Sequence, residues 1–311
     1  MPGHEEFLPE WHSRFAVTPS ALQNFLRATL DSDAAAGDRI VGGYDNEVYR
    51  VVLEAGRPAY VRIRRPDDGD FTDEIRAMEW ASTAGVPVPA VLATGDVEGR
   101  PAMILAGARG HPLADCEAGD RRAALLSLGR MLRRLHEVVT PGYWRPGPDD
   151  QWEQDAERLR RGFVADRAAE RADLLAAGFT PAEIDRMITE ISIPVTPPPR
   201  GPVLCHGDPT PEHIYVDERA EVVDVIDWGM WCGGWPVDDL AYMARTYSRS
   251  DLEIVLRGHG DSLADDEFRR RLWRTSIGQG IGHLAHHARI GDGAGVERNS
   301  GALRVALCEL T

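Results

Sequence analysis

Two carboxylates and an imidazole stand at Asp208, His213 and Asp227, and the residues between them read as the scaffold that would bring them together. Residues 206–212 are loop-like, 214–216 form a short apolar strand, 217–220 a polar turn, and 222–226 a return strand. Such a hairpin places all three side chains at one edge. The set suits phosphoryl transfer: one carboxylate takes the proton of an attacking hydroxyl, and two ligands fix a magnesium ion against the phosphates of a nucleotide.

The elements that must position this edge are legible around it. Residues 39–64 alternate β-rich runs with glycine turns, as antiparallel strands do, and Gly42 and Gly43 lie in one turn where backbone N–H groups could approach phosphate. On the strand 59–65, period-two alternation puts Tyr60, Arg62 and Arg64 on one face. The spacing predicts a helix over 72–84 that Gly85 stops, with Glu74 in its first turn. Met103, Ile104 and Leu105 read as a buried strand. After residue 120 the period changes to that of an amphipathic helix (Leu125, Leu128, Met131, Leu132, Leu135), and the rest is largely helical, with a capping box at Thr180 and Glu183. Pro-rich residues 194–202 form a stiff connector. The fold expected is α+β: a small antiparallel-sheet lobe, residues 1–106, and a larger helical lobe, residues 107–311, with nucleotide between them.

His206, Gly207 and Asp208, a ligand five residues after that aspartate, and Ile226, Asp227 and Trp228 resemble the catalytic and metal motifs of aminoglycoside phosphotransferases, relatives of the protein kinases. The resemblance spans roughly residues 39–241. It implies that Asp208 is the catalytic carboxylate, that Asp227 is the principal magnesium ligand, and that Gly42, Gly43, Arg62, Glu74 and Ile104 bind the nucleotide, ATP or GTP. Arg62 stands for the phosphate-anchoring basic residue, with Arg64 in reserve, and Glu74 is its partner. Asp239, in the run from Gly234 to Ala241, is implied to brace the catalytic loop. Trp235 replaces an aspartate of the family pattern there. His213 stands where asparagine is commoner and is similar to macrolide phosphotransferases. Imidazole is a softer ligand than an amide oxygen, so His213 could ligate magnesium or manganese, or hydrogen-bond a phosphate.

Composition narrows the alternatives. All 35 basic residues are arginine, which excludes Schiff-base chemistry and a Walker A lysine and leaves arginine to grip phosphate. A net charge of -15 disfavours nucleic acid and favours a cationic partner. Four dispersed cysteines suggest neither zinc site nor disulfides. No apolar run is long enough to span a membrane, and an acidic start is unlike a secretory signal, so a cytoplasmic protein is expected. His136 reads as core packing. His283, His286 and His287 read as a solvated or substrate-facing surface rather than a metal cluster. The expected activity is transfer of a γ-phosphoryl group to a hydroxyl of a small molecule: an aminoglycoside or related antibiotic, alternatively a macrolide or a metabolite. A catalytically silent nucleotide binder is the reading of another class.

Overall fold

Alternation in residues 46–64 sorts side chains to the two faces of a sheet. β1 (Arg39–Ile40), β2 (Asn46–Val52), β3 (Pro58–Arg64), β4 (Val91–Val97) and β5 (Arg100–Ala106) form an antiparallel sheet in the order β1-β2-β3-β5-β4. This is a computed structural model, which describes residues 4–30, 37–53, 56–66, 68–194 and 200–311. Tyr49, Val51, Ala59, Val61, Ile63, Ala102 and Ile104 bury one face against Leu22, Phe25 and Leu26. Those three belong to α2 (Pro19–Leu30), which follows α1 (His4–Ser13). Each such side chain contributes roughly 1.5–3 kcal/mol on burial, so α2 is an integral layer of the lobe. Neither α1 nor α2 is among the elements expected from the sequence.

The opposite face carries Tyr60, Arg62 and Arg64 with Met103 and Leu105, paired across β3 and β5 as Arg62 with Met103 and Tyr60 with Leu105. Against it packs α3 (Thr72–Thr83), whose Ala77, Met78 and Ala81 join Met103 and Leu105 in the larger core. Gly85, with φ of 76°, ends the helix as expected.

Past Ala106 the chain becomes helical: α4 (Ala118–Leu135), α5 (Ala156–Ala169), α6 (Arg171–Ala176), α7 (Pro181–Ser192), α8 (Pro236–Thr246), α9 (Arg249–His259), α10 (Asp266–Ile290) and α11 (Gly293–Glu309). The capping box of α7 forms as its sequence predicts: Thr180 Oγ1 accepts from the Glu183 N–H, and the Glu183 carboxylate accepts from the Thr180 N–H. Short strands interrupt the helices. β6 (His111–Pro112), β8 (Ile214–Val216) and β9 (Val222–Val225) form one sheet; β7 (Val203–Cys205) pairs with β10 (Cys232–Gly234) in another. The expected 214–226 hairpin is β8–β9, whereas residues 203–205 pair with a strand that the sequence reading did not contain. Residues 195–199 of the proline-rich connector lie outside the described residues. Among the described residues, no helix is long and apolar enough to cross a membrane.

Candidate active site

Asp208, His213 and Asp227 meet where the β8–β9 hairpin enters and leaves, with ligand-type atoms within 4.8 Å of one another. Three local features hold the loop. Gly207 has φ of 84°, and a Cβ there would lie 2.0 Å from the Met230 carbonyl oxygen, so only glycine lets the two segments approach. His206 is buried between them: its Nδ1 accepts from the Asp208 N–H (3.2 Å) and its Nε2–H donates to the Ile226 carbonyl (2.9 Å). That pairing requires a neutral ring, and burial agrees by pushing its pKa down to about 4. Asp239 accepts the N–H groups of His206 (2.9 Å) and Gly207 (2.7 Å). Asp239 thereby braces the backbone of the 206–208 loop.

The two aspartates differ sharply in setting. Asp208 Oδ1 is buried with no hydrogen-bond partner, and burial pushes the carboxyl up to about 6 against the attraction of His213 and neighbouring Tyr242. Asp227 sits in the left-handed region (φ 62°, ψ 62°), a conformation that aspartate tolerates better than most residues. Burial would raise its pKa, but Arg62, then His213 and His206, outweigh it and hold the group below the usual carboxylate range. Arg62 Nη2 donates to Asp227 Oδ1 at 2.8 Å.

Arg62 also pairs with Glu74, so one guanidinium joins β3, α3 and the hairpin edge. Its side chain is 8% exposed and that of Glu74 1%. Arg64, the reserve candidate, adds a second contact to Glu74 at 3.2 Å while stacking over Phe71 at 4.2 Å. Both arginines share the face that alternation predicts. Ile104 does not: it is fully buried under α2, on the opposite face from Arg62, because its register partner is Val61. The expected shared face is corrected: the Ile104 side chain points away from Arg62, and parity points the neighbouring Met103 and Leu105 to the face of Arg62.

Gly42 and Gly43 lie in the 41–45 loop between β1 and β2, with Gly43 at φ 71°. Asp45 of this loop is near enough to act on Arg62. Two contacts invisible in the sequence reading fasten the loop. The carbonyl of Gly43 is 3.1 Å from Nε2 of His12, whose Nδ1 meets the buried Glu47 at 2.9 Å. The Tyr44 hydroxyl donates to Asp292 at 2.6 Å, and its ring meets those of His286 and His287 edge-on. The late histidines divide: His286 is exposed, His287 is buried beside Asp292, and His283 stands edge-on to Tyr242, the residue beside Asp208.

The donor set fits a divalent cation. His213 Nδ1 lies 2.9 Å from the Asp208 backbone carbonyl, a contact that needs a hydrogen on Nδ1. That leaves the Nε2 lone pair facing Asp227 Oδ2 at 3.5 Å, the arrangement in which a metal-binding histidine is oriented by a carbonyl behind it. Chemically, the edge offers a carboxylate with one unpartnered oxygen, an imidazole nitrogen and an ionised carboxylate beside an arginine–glutamate pair.

A strand-rich lobe and a helical lobe arranged around this edge define a kinase-like fold. Residues 37–273 match the profile of the Phosphotransferase enzyme family, and the chain belongs to that family, whose members transfer phosphoryl groups to hydroxyls. Aminoglycoside phosphotransferase APH(4)-Ia, in a ternary complex with ADP and hygromycin B, is similar with a TM-score of 0.72 at 17% identity, covering 93% of this chain and 98% of that one. The GDP and kanamycin complex of APH(2")-IIIa is similar with a TM-score of 0.68 at 15% identity, covering 93% and 99%. An aminoglycoside 3'-phosphotransferase of Streptomyces fradiae is 27% identical over 177 residues, 55% of this chain and 63% of its own. Acyl-CoA dehydrogenase family member 10 of Mus musculus is 25% identical over 263 residues, 79% of this chain. The chain spans only about a quarter of that mouse relative's length.

Proposed function

We propose that this protein transfers the γ-phosphoryl group of ATP or GTP to a hydroxyl of a small, cationic, aminoglycoside-like acceptor bound between lobes 1–106 and 107–311. The observation that carries the reading is the convergence of Asp208, His213, Asp227 and the Arg62–Glu74 pair on one edge. The neighbours of similar fold that hold ADP with hygromycin B and GDP with kanamycin support the nucleotide and acceptor classes.

Asp208 accepts a hydrogen bond from the acceptor hydroxyl and takes its proton as the oxygen attacks phosphorus. Its unpartnered oxygen and its pKa near 6 suit that role, because the group is ionised yet basic at neutral pH. Asp227 and His213 would hold a magnesium ion, which when bound neutralises charge on the nucleotide phosphates. Arg62, held by Glu74, presents a guanidinium to the phosphates, and the 41–45 loop covers them with backbone N–H groups. Positioning and charge neutralisation supply most of the acceleration.

The test is a nucleotide-consumption assay with ATP and GTP against aminoglycosides, macrolides and common metabolites, run beside Asp208→Ala. Acceptor-dependent consumption by the wild type alone supports the reading, and the acceptor that triggers it decides the substrate class. Nucleotide binding without magnesium-dependent turnover for any acceptor would establish the silent binder instead.

A further inference from the structure

Beyond Asp239, a chain of side chains runs from the catalytic loop to the surface with no part in the chemistry described above. Asp239 Oδ2 is 3.0 Å from His136 Nε2, His136 Nδ1 is 2.9 Å from His259 Nε2, and His259 Nδ1 is 2.6 Å from Asp261 Oδ2. The imidazole centroids are 5.1 Å apart, a separation that suits a hydrogen bond between ring nitrogens, with the planes at 63°. Side-chain exposure climbs along the chain: 0% at Asp239, 3% at His136, 9% at His259, 33% at Asp261. The outer end opens into a surface cavity of about 300 Å³.

Counting hydrogens shows what state this chain is in. Three contacts link two imidazoles to each other and to two carboxylates, and each contact needs one hydrogen. Carboxylates are acceptors only, so three of the four ring nitrogens must carry hydrogen. Two neutral imidazoles supply two. His136 is enclosed, whereas His259 borders the surface cavity and faces the more exposed Asp261, so the additional proton is placed on the outer ring. His259 then donates from Nε2 to His136 and from Nδ1 to Asp261, while His136 keeps Nε2–H for Asp239. The other ionisable groups facing the pair are Arg133 and Glu137 at the end of α4 and the buried Cys205 of β7.

We propose that His136 and His259 are a protonated positioning relay: one proton shared between Asp239 and Asp261 fixes the hydrogen of His136 toward Asp239. Asp239 in turn holds the backbone of His206 and Gly207, and so sets Asp208. When the proton leaves His259 Nδ1 for solvent, the outermost contact becomes two lone pairs face to face. Asp261 then swings away, His259 is free to exchange tautomers, and the hydrogen on His136 loses its fixed direction. The relay thus ties the order of the catalytic loop to protonation at a surface cavity.

The first test needs no substrate. Nitrogen-15 spectra of the histidines in the full chain at neutral pH should show both ring nitrogens of His259 protonated and His136 protonated at Nε2 only; two neutral rings would overturn the proposal. Amide exchange at His206 and Gly207 should speed up in Asp261→Ala and not in Asp261→Asn, because an asparagine amide can donate to a neutral His259 Nδ1 and close the chain without the proton. The kinetic arm rests on the phosphotransferase reading. There, Asp261→Ala should lower kcat about threefold to tenfold with nucleotide KM unchanged, while Asp261→Asn should stay within about twofold of wild type and lose its alkaline decline. Equal kcat and parallel pH profiles in all three proteins, with their exchange rates alike, would reduce the chain to packing. Absence of any turnover would defeat the functional reading but leave the spectra and exchange rates to decide the relay.

Discussion

The two aspartates of the site have the same side chain and opposite surroundings. Asp208 is half-buried with one oxygen unpartnered and a raised pKa; Asp227 lies against Arg62 and two imidazoles with a lowered one. Environments that push like groups apart assign their roles. A group that must take a proton needs basicity, which desolvation supplies. A group that must hold a cation needs to be ionised throughout, which a neighbouring guanidinium secures. The contrast also predicts different costs: Asp208 keeps a buried oxygen without a partner, whereas Asp227 belongs to an ion-pair network with Arg62 and Glu74 that joins the hairpin edge to the five-stranded sheet.

Removing Asp208 should break the contrast most severely. Asp208→Ala is expected to lower turnover by at least about a hundredfold while nucleotide binding persists, since the carboxylate acts on the hydroxyl and not on the phosphates. Near-normal turnover would remove the assignment. Asp208→Asn should lose activity equally yet raise Tm at neutral pH, because it removes a buried charge lacking a full set of partners. The sign with pH follows. A carboxyl whose folded pKa is raised costs stability above that pKa, and the cost is relieved as pH falls through about 6. The Tm gap between Asp208→Asn and wild type should therefore shrink on acidification, and a gap independent of pH would contradict the desolvated setting.

Asp227→Ala should weaken magnesium-dependent nucleotide binding by about tenfold or more, along with turnover, because an anionic ligand is gone. Isothermal titration with and without magnesium checks it; unchanged affinity with magnesium present would reject the role. Arg62→Ala separates structure from chemistry at the same place. It leaves Glu74 buried with only Arg64 as partner, so denaturant unfolding should show a loss of about 2 kcal/mol or more, as breaking a buried pair does. An unchanged midpoint would mean that Arg64 alone suffices.

What the sequence disclosed divides along the same line. The hairpin edge was legible because its chemistry is local: a glycine that must permit close approach, a loop, and strands with period two bring Asp208, His213 and Asp227 together within twenty residues. Strand parity gave the face of Arg62, and its pairing with Glu74 was implied by the resemblance to the kinases. Parity also held the correction to Ile104, since a residue two places along β5 from Ala102 shares its face and cannot share that of Met103. The contacts of Tyr44 with Asp292, of Gly43 with His12, and of His136 with His259 were not legible. Each joins residues far apart in the chain, and no periodicity within either segment encodes the other. His136 sat at the end of a well-formed apolar stripe, so its polar partners were hidden behind a sound packing argument.

The smallest expected effect, and the finest division between the two aspartates, is at His213, which stands between them. Burial lowers the pKa of this imidazole, but Asp227 and then Asp208 outweigh it and raise the value above that of a free histidine. A histidine with a raised folded pKa contributes stability that is present at low pH and lost as pH rises through that value. Metal ligation has the reverse sign, since only the neutral ring offers Nε2 to a cation. In metal-free protein the Tm advantage of wild type over His213→Asn should grow on acidification. With metal present, the apparent affinity of wild type should fall more steeply than that of His213→Asn below about pH 6.5. The mutant should retain substantial turnover, because an amide oxygen can occupy the same position, and it should shift the preference between magnesium and manganese. Opposed slopes from one residue would place His213 in the metal site; parallel slopes with an unmoved metal preference would make it a salt-bridge partner of Asp227 and nothing more.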